Sequence, residues 1–276
     1  TDEPVEPLSF SGLAMKGLLD NALVFVDLNR DGVFNNGAEP STFTNRDGEF
    51  TLSTTDRDAP VIVTSTTSTV DRSSDSVPIG LSLVGSSNGP VISPATTLLS
   101  EGNLSKAELA SALGLSEDID VATYNPFAEG VDPAEALQFE SISHQLQNTM
   151  VSLQTSLEVN GFESGEALRV AAQSIVDAVV QSASEDKQID FTDLSEVKNA
   201  VLNRVEDLDV GDLENVLDAA KNVNQVISDK VQSADDLSDV KNEFSVSGLL
   251  AQQLSDAKSL ETPSTDVGLK YSGVAL

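Results

Sequence analysis

The chain has no cysteine, no tryptophan and a single histidine among its 276 residues. Without cysteine it can form neither disulfide bonds nor thiolate metal ligands. A single histidine, His144, excludes zinc sites built from several histidines, and we expect it to be a packed or surface residue rather than a base. Catalytic triads and thiol chemistry are therefore not expected.

Aromatic residues are also scarce, at 4% of the chain with only two tyrosines. Hydrolysis of glycosides by paired carboxylates usually takes place among aromatics that stack on the sugar, so a carboxylate-based glycosidase or lyase is disfavoured. The sequence contains no phosphate-binding glycine-rich loop, and no apolar run approaches the roughly 20 residues that span a bilayer. We therefore predict no enzymatic activity and no membrane insertion.

Basic residues are few: 15 lysines and arginines stand against 45 acids, for a formal charge of −30. Such a chain repels nucleic acid, anionic membranes and other copies of itself unless cations intervene. An acidic, cysteine-free composition rich in serine and threonine is typical of exported bacterial surface proteins, so we predict an extracellular location. The first residues lack the basic and apolar regions of a signal peptide, so the start is either mature or excised from a longer chain.

One acidic loop, from Asp27 to Glu39, has the spacing of a calcium site. Ca²⁺ takes six to eight oxygen ligands, which alternate residues of a tight loop can supply together. The candidate ligands are Asp27, Asn29, Asp31, the carbonyl of Val33, Asn35 and Glu39. Gly32 suits the sharp turn after the third of them. The closing acid stands at loop position 13 rather than 12, and the alternative is a solvated turn.

The pattern of the chain changes near residue 92. After a linker at residues 1–7, residues 8–92 carry short β-rich runs separated by turn residues, which predicts an antiparallel β-sandwich containing the calcium loop. Residues 93–260 carry apolar side chains at helical spacing, with starts at Ser93-Pro94 and Asp132-Pro133, which predicts an antiparallel helical bundle. The predicted fold class is α+β.

The two ends of the chain resemble each other. Leu8–Met15 and Leu269–Leu276 both follow the order Leu-x-aromatic-Ser-Gly-aliphatic-Ala-aliphatic, with Met15 as the last residue of the first segment and Leu276 as the last of the second. Residues 261–276 are predicted to be a linker and a terminal strand, which is either the start of a further tandem copy or a strand that pairs within one sheet. The terminal strand also predicts head-to-tail partners among other copies of the chain.

Two further hypotheses concern one lysine and a group of four acids. Lys16 lies in the first β region, where a buried lysine can form an isopeptide crosslink if an asparagine and an acid are beside it. The second hypothesis is an additional ion site at the acids Asp56, Asp58, Asp71 and Asp75. Surface positions are the simpler alternative for these acids.

Three stretches of the first third together resemble a known module. Gly17–Gly32, Gly37–Pro40 and Thr44–Leu52 follow the order of the B-type β-sandwich repeats of bacterial surface proteins, the Cna-B-like and carboxypeptidase-regulatory-like modules. Further on, Val91–Leu99 and Tyr124–Phe127 resemble segments that follow such a module in large secreted RTX-type adhesins. The resemblance implies calcium binding by the loop residues other than Asn35, and an extracellular structural or adhesive role.

These observations predict a secreted calcium-binding structural module of a surface adhesin or extracellular filament, assembling head-to-tail. The alternative is a ligand-binding adhesion module, in which a groove between sandwich and bundle holds a peptide or glycan.

Overall fold

The computed structural model describes residues 6–206 and 208–259 of the chain. Over these residues strands come first and helices follow, so the fold is mixed α+β, as predicted. The strands are β1 (Leu8–Ala14), β2 (Leu19–Asp20), β3 (Leu23–Val26), β4 (Ser41–Phe43), β5 (Glu49–Thr54), β6 (Pro60–Thr64), β7 (Val70–Asp71), β8 (Ser82–Ser86) and β9 (Val91–Ile92). The helices are α1 (Pro94–Glu101), α2 (Lys106–Ala112), α3 (Pro133–Val159), α4 (Ser164–Ser184), α5 (Ser195–Arg204), α6 (Val210–Val231) and α7 (Lys241–Ser259), with a 3-10 turn at Leu237–Val240 before α7.

The strands form three small sheets. Their orders are β5-β1-β9, β2-β7 and β4-β3-β6-β8. The four-stranded sheet is antiparallel throughout. β1 runs antiparallel to β5 along its length, but it meets β9 only through Leu13 and Ala14, in parallel. In β5 buried and exposed side chains alternate, as expected of a strand with one face on the core.

Side-chain caps begin the helices at the positions that the sequence predicts. The Ser93 hydroxyl accepts a hydrogen bond from the Thr96 amide at 3.2 Å, and the Thr96 hydroxyl accepts one from the Ser93 amide at 2.8 Å. Pro94 then occupies the first helical position, where its missing N–H is not needed. The Asp132 carboxylate caps α3 in a similar way.

The helix α3 lies at the centre of the helical part and packs against α4, α6 and α7. The sequence predicts one apolar stripe on this helix, yet 20 of its 27 residues are buried. Neighbouring helices cover it on several sides, so polar side chains such as Glu140, His144 and Asn148 are enclosed as well. Enclosed polar groups need partners inside the protein.

A continuous hydrophobic cluster joins strands and helices. It runs from Val24 and Val63 in the sheet through Leu98 of α1 to Leu146 and Met150 of α3. A second, smaller cluster consists of Phe25, Ile62, Val84 and Leu168, and it places α4 against the four-stranded sheet. The strands therefore depend on the helices to cover their apolar side chains.

The cap of α1 gives a first prediction. Replacing Ser93 by alanine removes a buried cap at the junction of strands and helices, and it should lower the free energy of unfolding by about 2 kcal/mol. Urea denaturation measures this loss. The Ser105→Ala variant removes the same type of cap from the exposed start of α2 and should cost about 0.5–1 kcal/mol. If the two variants lost equal amounts of unfolding free energy, burial would not be the reason that the Ser93 cap contributes more than the Ser105 cap.

Candidate functional sites in the acidic loop and a buried polar cluster

The predicted calcium loop places two of its carboxylates inside the protein. Asp27 is 2% exposed and Glu39 is 7% exposed. The Gly32 amide donates to Asp27 Oδ2 at 2.9 Å. The amides of Leu28 and Asn35 donate to the two oxygens of Glu39, each at 2.9 Å. Hydrogen bonds from backbone N–H groups thus fold the loop around these two acids.

The other predicted ligands lie on the outer side of the loop. Asp31 is exposed and accepts hydrogen bonds from the Asn29 side chain at 2.7 Å and the Val33 amide at 2.8 Å. The Asn35 amide group donates to the Val33 carbonyl at 3.0 Å. The six residues predicted from the sequence therefore share one loop, but Asp27 and Glu39 form its inner group and the remainder its outer group.

Burial raises the pKa of Asp27, and the nearby negative charge of Glu39 raises it further, while the amides of Gly32 and Asp31 lower it. A cation between the two acids would relieve this unfavourable charge. All six predicted donors are oxygens, which suit Ca²⁺. In the described part of the chain, however, no group of three or more acidic or histidine side chains is arranged to hold a metal ion.

The backbone of the loop is in close contact with the start of α4. A side chain on Gly165 would place its Cβ only 1.9 Å from the carbonyl oxygen of Asp31, and a Cβ on Gly32 would lie 2.7 Å from Gly165 Cα. Phe34 of the loop packs its ring against Phe25 of the sheet, with centroids 5.3 Å apart. The loop therefore contacts both helix α4 and the four-stranded sheet.

A second group of polar residues is enclosed between strands and helices. Lys16, just after β1, is 2% exposed, and Asp71, in β7, has no exposed surface. Lys16 Nζ lies 2.8 Å from Asp71 Oδ2 and donates to Ser247 Oγ of α7 at 3.3 Å. The contact thus joins the end of β1, strand β7 and helix α7.

Helix α3 adds two more titratable groups to this cluster. Glu140 Oε2 accepts a hydrogen bond from the Gly17 amide at 3.0 Å and lies 3.6 Å from His144 Nε2. His144 Nδ1 lies 3.0 Å from Ser247 Oγ, and its ring stacks on Phe244 at 4.0 Å. Both Glu140 and His144 are fully buried. The buried polar cluster hereafter means Lys16, Asp71, Glu140, His144 and Ser247. The half-buried Ser73 adjoins it and donates its hydroxyl to Asp71 Oδ1 at 2.6 Å.

Burial decides the protonation of the two α3 residues. It raises the pKa of Glu140 to about 8, with a further contribution from the negative charge of Asp71. Burial also lowers the pKa of His144 well below its usual value, and the positive charge of Lys16 lowers it further. At neutral pH Glu140 is therefore mostly protonated and His144 is neutral, beside the Lys16–Asp71 ion pair.

The sequence indicated this cluster only in part. Of the two positions expected for His144, packed or at the surface, the structure has the packed one. The partner of Lys16 is an aspartate and not an asparagine. Three of the acids considered for a second ion have cationic partners instead, since Asp71 pairs with Lys16, Asp75 with Lys241 and Asp56 with Arg30. A lysine within the apolar run Leu13–Leu19 was the available signal for a buried charge.

The Glu140 and Ser247 contributions were not predicted. Both lie on helices more than 100 residues away in sequence from Lys16, so no local pattern connects them.

Comparisons with protein-family models, with curated proteins and with solved structures found no match for this chain. The resemblance to Cna-B-like modules therefore stays a prediction. Among the described residues, no helix is long and apolar enough to cross a membrane.

The raised pKa of Glu140 predicts a pH dependence of stability. A group whose pKa is raised on folding stabilises the protein below its unfolded value, here about 4.5, and that stability is lost as the pH rises through about 8. The unfolding free energy of the wild type, taken relative to that of Glu140→Gln, should therefore fall by roughly 5 kcal/mol as the pH rises from about 4.5 to about 8. Denaturant titrations at several pH values measure it.

His144 acts in the opposite direction and serves to separate the two effects. Its lowered pKa contributes stability that is present above about pH 6.5 and lost as the pH falls further. The decline due to Glu140 should thus be clearest between pH 6.5 and 8 in the wild type. Glu117→Gln, at an exposed position, is the matched control and should leave the profile unchanged. Parallel profiles for the wild type and Glu140→Gln would refute the assignment.

Proposed function

We propose that this chain is a secreted calcium-binding structural module of a bacterial surface adhesin or extracellular filament. The observation that carries the proposal is the loop with two buried carboxylates, Asp27 and Glu39, pressed against the start of α4 at Gly165. A cation bound there would act where strands and helices meet. The composition supports the same conclusion, because a charge of −30 opposes compact packing and assembly until cations reduce it.

Calcium would be held by oxygens from both groups of the loop. Asp27 and Glu39 would supply the inner carboxylates, and Asp31, Asn29, Asn35 and the Val33 carbonyl the outer ligands. Their oxygen chemistry fits Ca²⁺. Some backbone amides that now donate to these carboxylates would have to share them with the ion. Binding would replace the repulsion between Asp27 and Glu39 by attraction to a common cation.

Calcium should therefore raise the melting temperature. Extracellular calcium modules bind with Kd of roughly 10⁻⁴ to 10⁻³ M. Binding to the folded state alone at about 100 times Kd adds about 2.7 kcal/mol, which for a chain of this size corresponds to roughly 5–10 °C. Thermal melts in calcium and in chelator, at constant ionic strength, measure the shift.

The Asp31→Ala variant should lose most of this shift. Asp47→Ala is the matched control, because Asp47 is an exposed acid in a different turn and should leave the shift intact. An absent shift in the wild type, or an equal shift in Asp31→Ala, would argue against the calcium site.

Head-to-tail assembly is the second part of the proposal. On the side of β1 that faces β9, pairing extends over Leu13 and Ala14 alone, so the first half of β1 has no strand there among the described residues. An open strand edge offers backbone donors and acceptors to another strand. The segment Leu269–Leu276, which lies outside the described residues, has the sequence pattern of β1 itself and is the proposed partner from another copy.

Deleting Gly268–Leu276 should abolish assembly while leaving the fold intact. Light scattering and electron microscopy, with and without calcium, follow the assembly, and circular dichroism checks the fold. The intact chain should form head-to-tail oligomers that calcium favours, because calcium reduces the repulsion between acidic copies. Unchanged oligomers in the deletion variant, or a strictly monomeric intact chain in calcium, would rule out this mode of association.

A ligand-binding module is the second candidate function. One cavity of about 280 Å³ lies between the calcium loop, the four-stranded sheet and α3, with Phe34, Thr64 and Gln154 among its lining residues. Its place between strands and helices matches the groove considered for a peptide or glycan, and its mixed polar and apolar lining suits such a ligand. The deletion experiment separates the two candidates, because a ligand-binding module of this kind has no need to assemble.

A further inference from the structure

Three asparagines of this chain are followed by glycine, and all three are exposed. They are Asn36 in the acidic loop, Asn88 between β8 and β9, and Asn160 at the end of α3. Asparagine deamidates most readily before glycine, because the next backbone nitrogen can attack the side-chain carbon and glycine has no Cβ to obstruct it. The three pairs are alike in sequence, and only the folded structure distinguishes them.

The glycine nitrogen is held by a hydrogen bond at two of the three pairs. The Gly89 amide donates to the Ser86 carbonyl and the Gly161 amide to the Glu158 carbonyl, each at 3.1 Å. The Gly37 amide has no hydrogen bond within the described part of the chain. A nitrogen that already donates a hydrogen bond must break it before it attacks, which lowers the reactive population roughly two- to tenfold.

The side-chain amide of Asn160 is held as well. Its Nδ2 donates to the Ser156 carbonyl at 2.8 Å, which fixes the side chain against the last turn of α3. By contrast, the side chain of Asn36 has no hydrogen bond among the described residues, and a Cβ added at Gly37 would meet no atom within 4 Å. Asn36 can therefore turn its Cγ toward the Gly37 nitrogen without breaking a contact.

We propose that Asn36 is a modification site, at which the chain deamidates without an enzyme to aspartate and isoaspartate. The Gly37 nitrogen attacks Asn36 Cγ, the new N–Cγ bond closes a five-membered succinimide ring, and the Cγ–Nδ2 bond breaks. The proton of the Gly37 amide leaves with Nδ2 as ammonia.

Water then opens the ring in one of two ways. Adding its hydroxyl to Cγ breaks the N–Cγ bond and gives aspartate. Adding it to the main-chain carbonyl carbon of residue 36 breaks the bond from that carbon to the Gly37 nitrogen and gives isoaspartate. In both cases the nitrogen takes the remaining proton, so water is the only co-reactant. This inference does not rest on calcium binding or assembly.

Either product adds a carboxylate to the acidic loop, which already contains those of Asp27, Asp31 and Glu39. The two products differ in the main chain. Aspartate keeps the main chain at its original length. In isoaspartate the main chain runs through the former side chain and is longer by one carbon atom. The consequence for the loop therefore depends on which bond of the ring water breaks.

The longer main chain falls within the turn that positions Glu39. The amides of Ala38 and Glu39 donate to the Asn35 carbonyl at 3.0 and 3.2 Å, and the Asn35 amide donates to Glu39 Oε2 at 2.9 Å. These hydrogen bonds enclose the modified position. An extra main-chain atom displaces Glu39 from the amides that hold its buried carboxylate, whereas aspartate leaves them in place. The isoaspartyl form is therefore the less stable product.

Peptide mapping of the folded chain tests the proposal. The full chain is kept at neutral pH and physiological temperature in chelator, so that the result does not depend on calcium. It is then digested in water labelled with heavy oxygen, which marks any deamidation that occurs during digestion. Mass spectrometry should show conversion at Asn36 that is faster than at Asn88 and Asn160 by roughly two- to tenfold or more. Conversion at Asn36 that is no faster than at the other two would overturn the proposal.

The chain unfolded in guanidinium chloride is the control for the sequence itself. Unfolding removes the hydrogen bonds at Gly89 and Gly161, so the three rates should converge. A preference for Asn36 that is as large in the unfolded chain as in the folded one would overturn the argument that folded contacts protect Asn88 and Asn160.

Two variants separate the modification from its consequence. Asn36→Gln keeps an amide but would need a six-membered ring, so it should stay unconverted under the same conditions, and conversion at the wild-type rate would overturn the ring mechanism. Asn36→Asp supplies the aspartate product directly. The isoaspartyl form, isolated chromatographically from aged wild type, should melt at a lower temperature than Asn36→Asp. Equal melting temperatures would overturn the effect on Glu39.

Discussion

The contact on which the rest of the arrangement depends is the buried pair of Lys16 and Asp71, covered by α3 and α7. A buried charge is tolerable only when an opposite charge and enough hydrogen bonds accompany it. Here the partners of Lys16 come from separate parts of the chain: β7 supplies the carboxylate of Asp71 and α7 the Ser247 hydroxyl. Glu140 of α3 is held beside the pair by the Gly17 amide. Separating the strands from the helices would expose this pair and remove some of its partners together.

The same interdependence is found in the apolar packing. The sheets are small, and their buried apolar side chains belong to clusters that also contain helix residues. Helix α1 packs against β8 and α4, while Leu168 of α4 packs against Phe25 and Ile62 of the sheet. The acidic loop adds a backbone contact with Gly165. Ionic, apolar and backbone contacts therefore lie along one extended interface between strands and helices.

Charge is distributed unevenly in this structure. With 15 basic residues for 45 acids, most carboxylates cannot have a cationic partner. Many are instead placed on helix surfaces or in turns, where backbone N–H groups stabilise them, as at Asp132 and Asp236. One of the few lysines is nevertheless enclosed, and one buried glutamate stays neutral beside it. These departures from the usual pattern are concentrated at the junction of strands and helices.

Much of the local structure could be predicted because its causes are local. The cap at Ser93, the start of α3 after Asp132 and the alternation of β5 each depend on residues within a few positions of one another. The acidic loop was recognised for the same reason, since its six oxygen donors lie within 13 residues. Which of them turn inward is not given by their spacing, because it depends on how the folded loop directs the amides of Leu28, Gly32 and Asn35 at the carboxylates of Asp27 and Glu39.

The sequence alone determined the α+β class, the helix starts and the position of the loop, since short-range sterics, capping and periodicity govern these features. The tertiary structure alone decided that α3 is enclosed on several sides, that Lys16 meets Asp71, and that Glu140 is neutral. Each of these outcomes depends on groups far apart in the chain. Lys16 and Ser247, for example, are in contact although they are 231 positions apart in the sequence. Burial and electrostatic environment arise only when such segments pack together, so no local pattern encodes them.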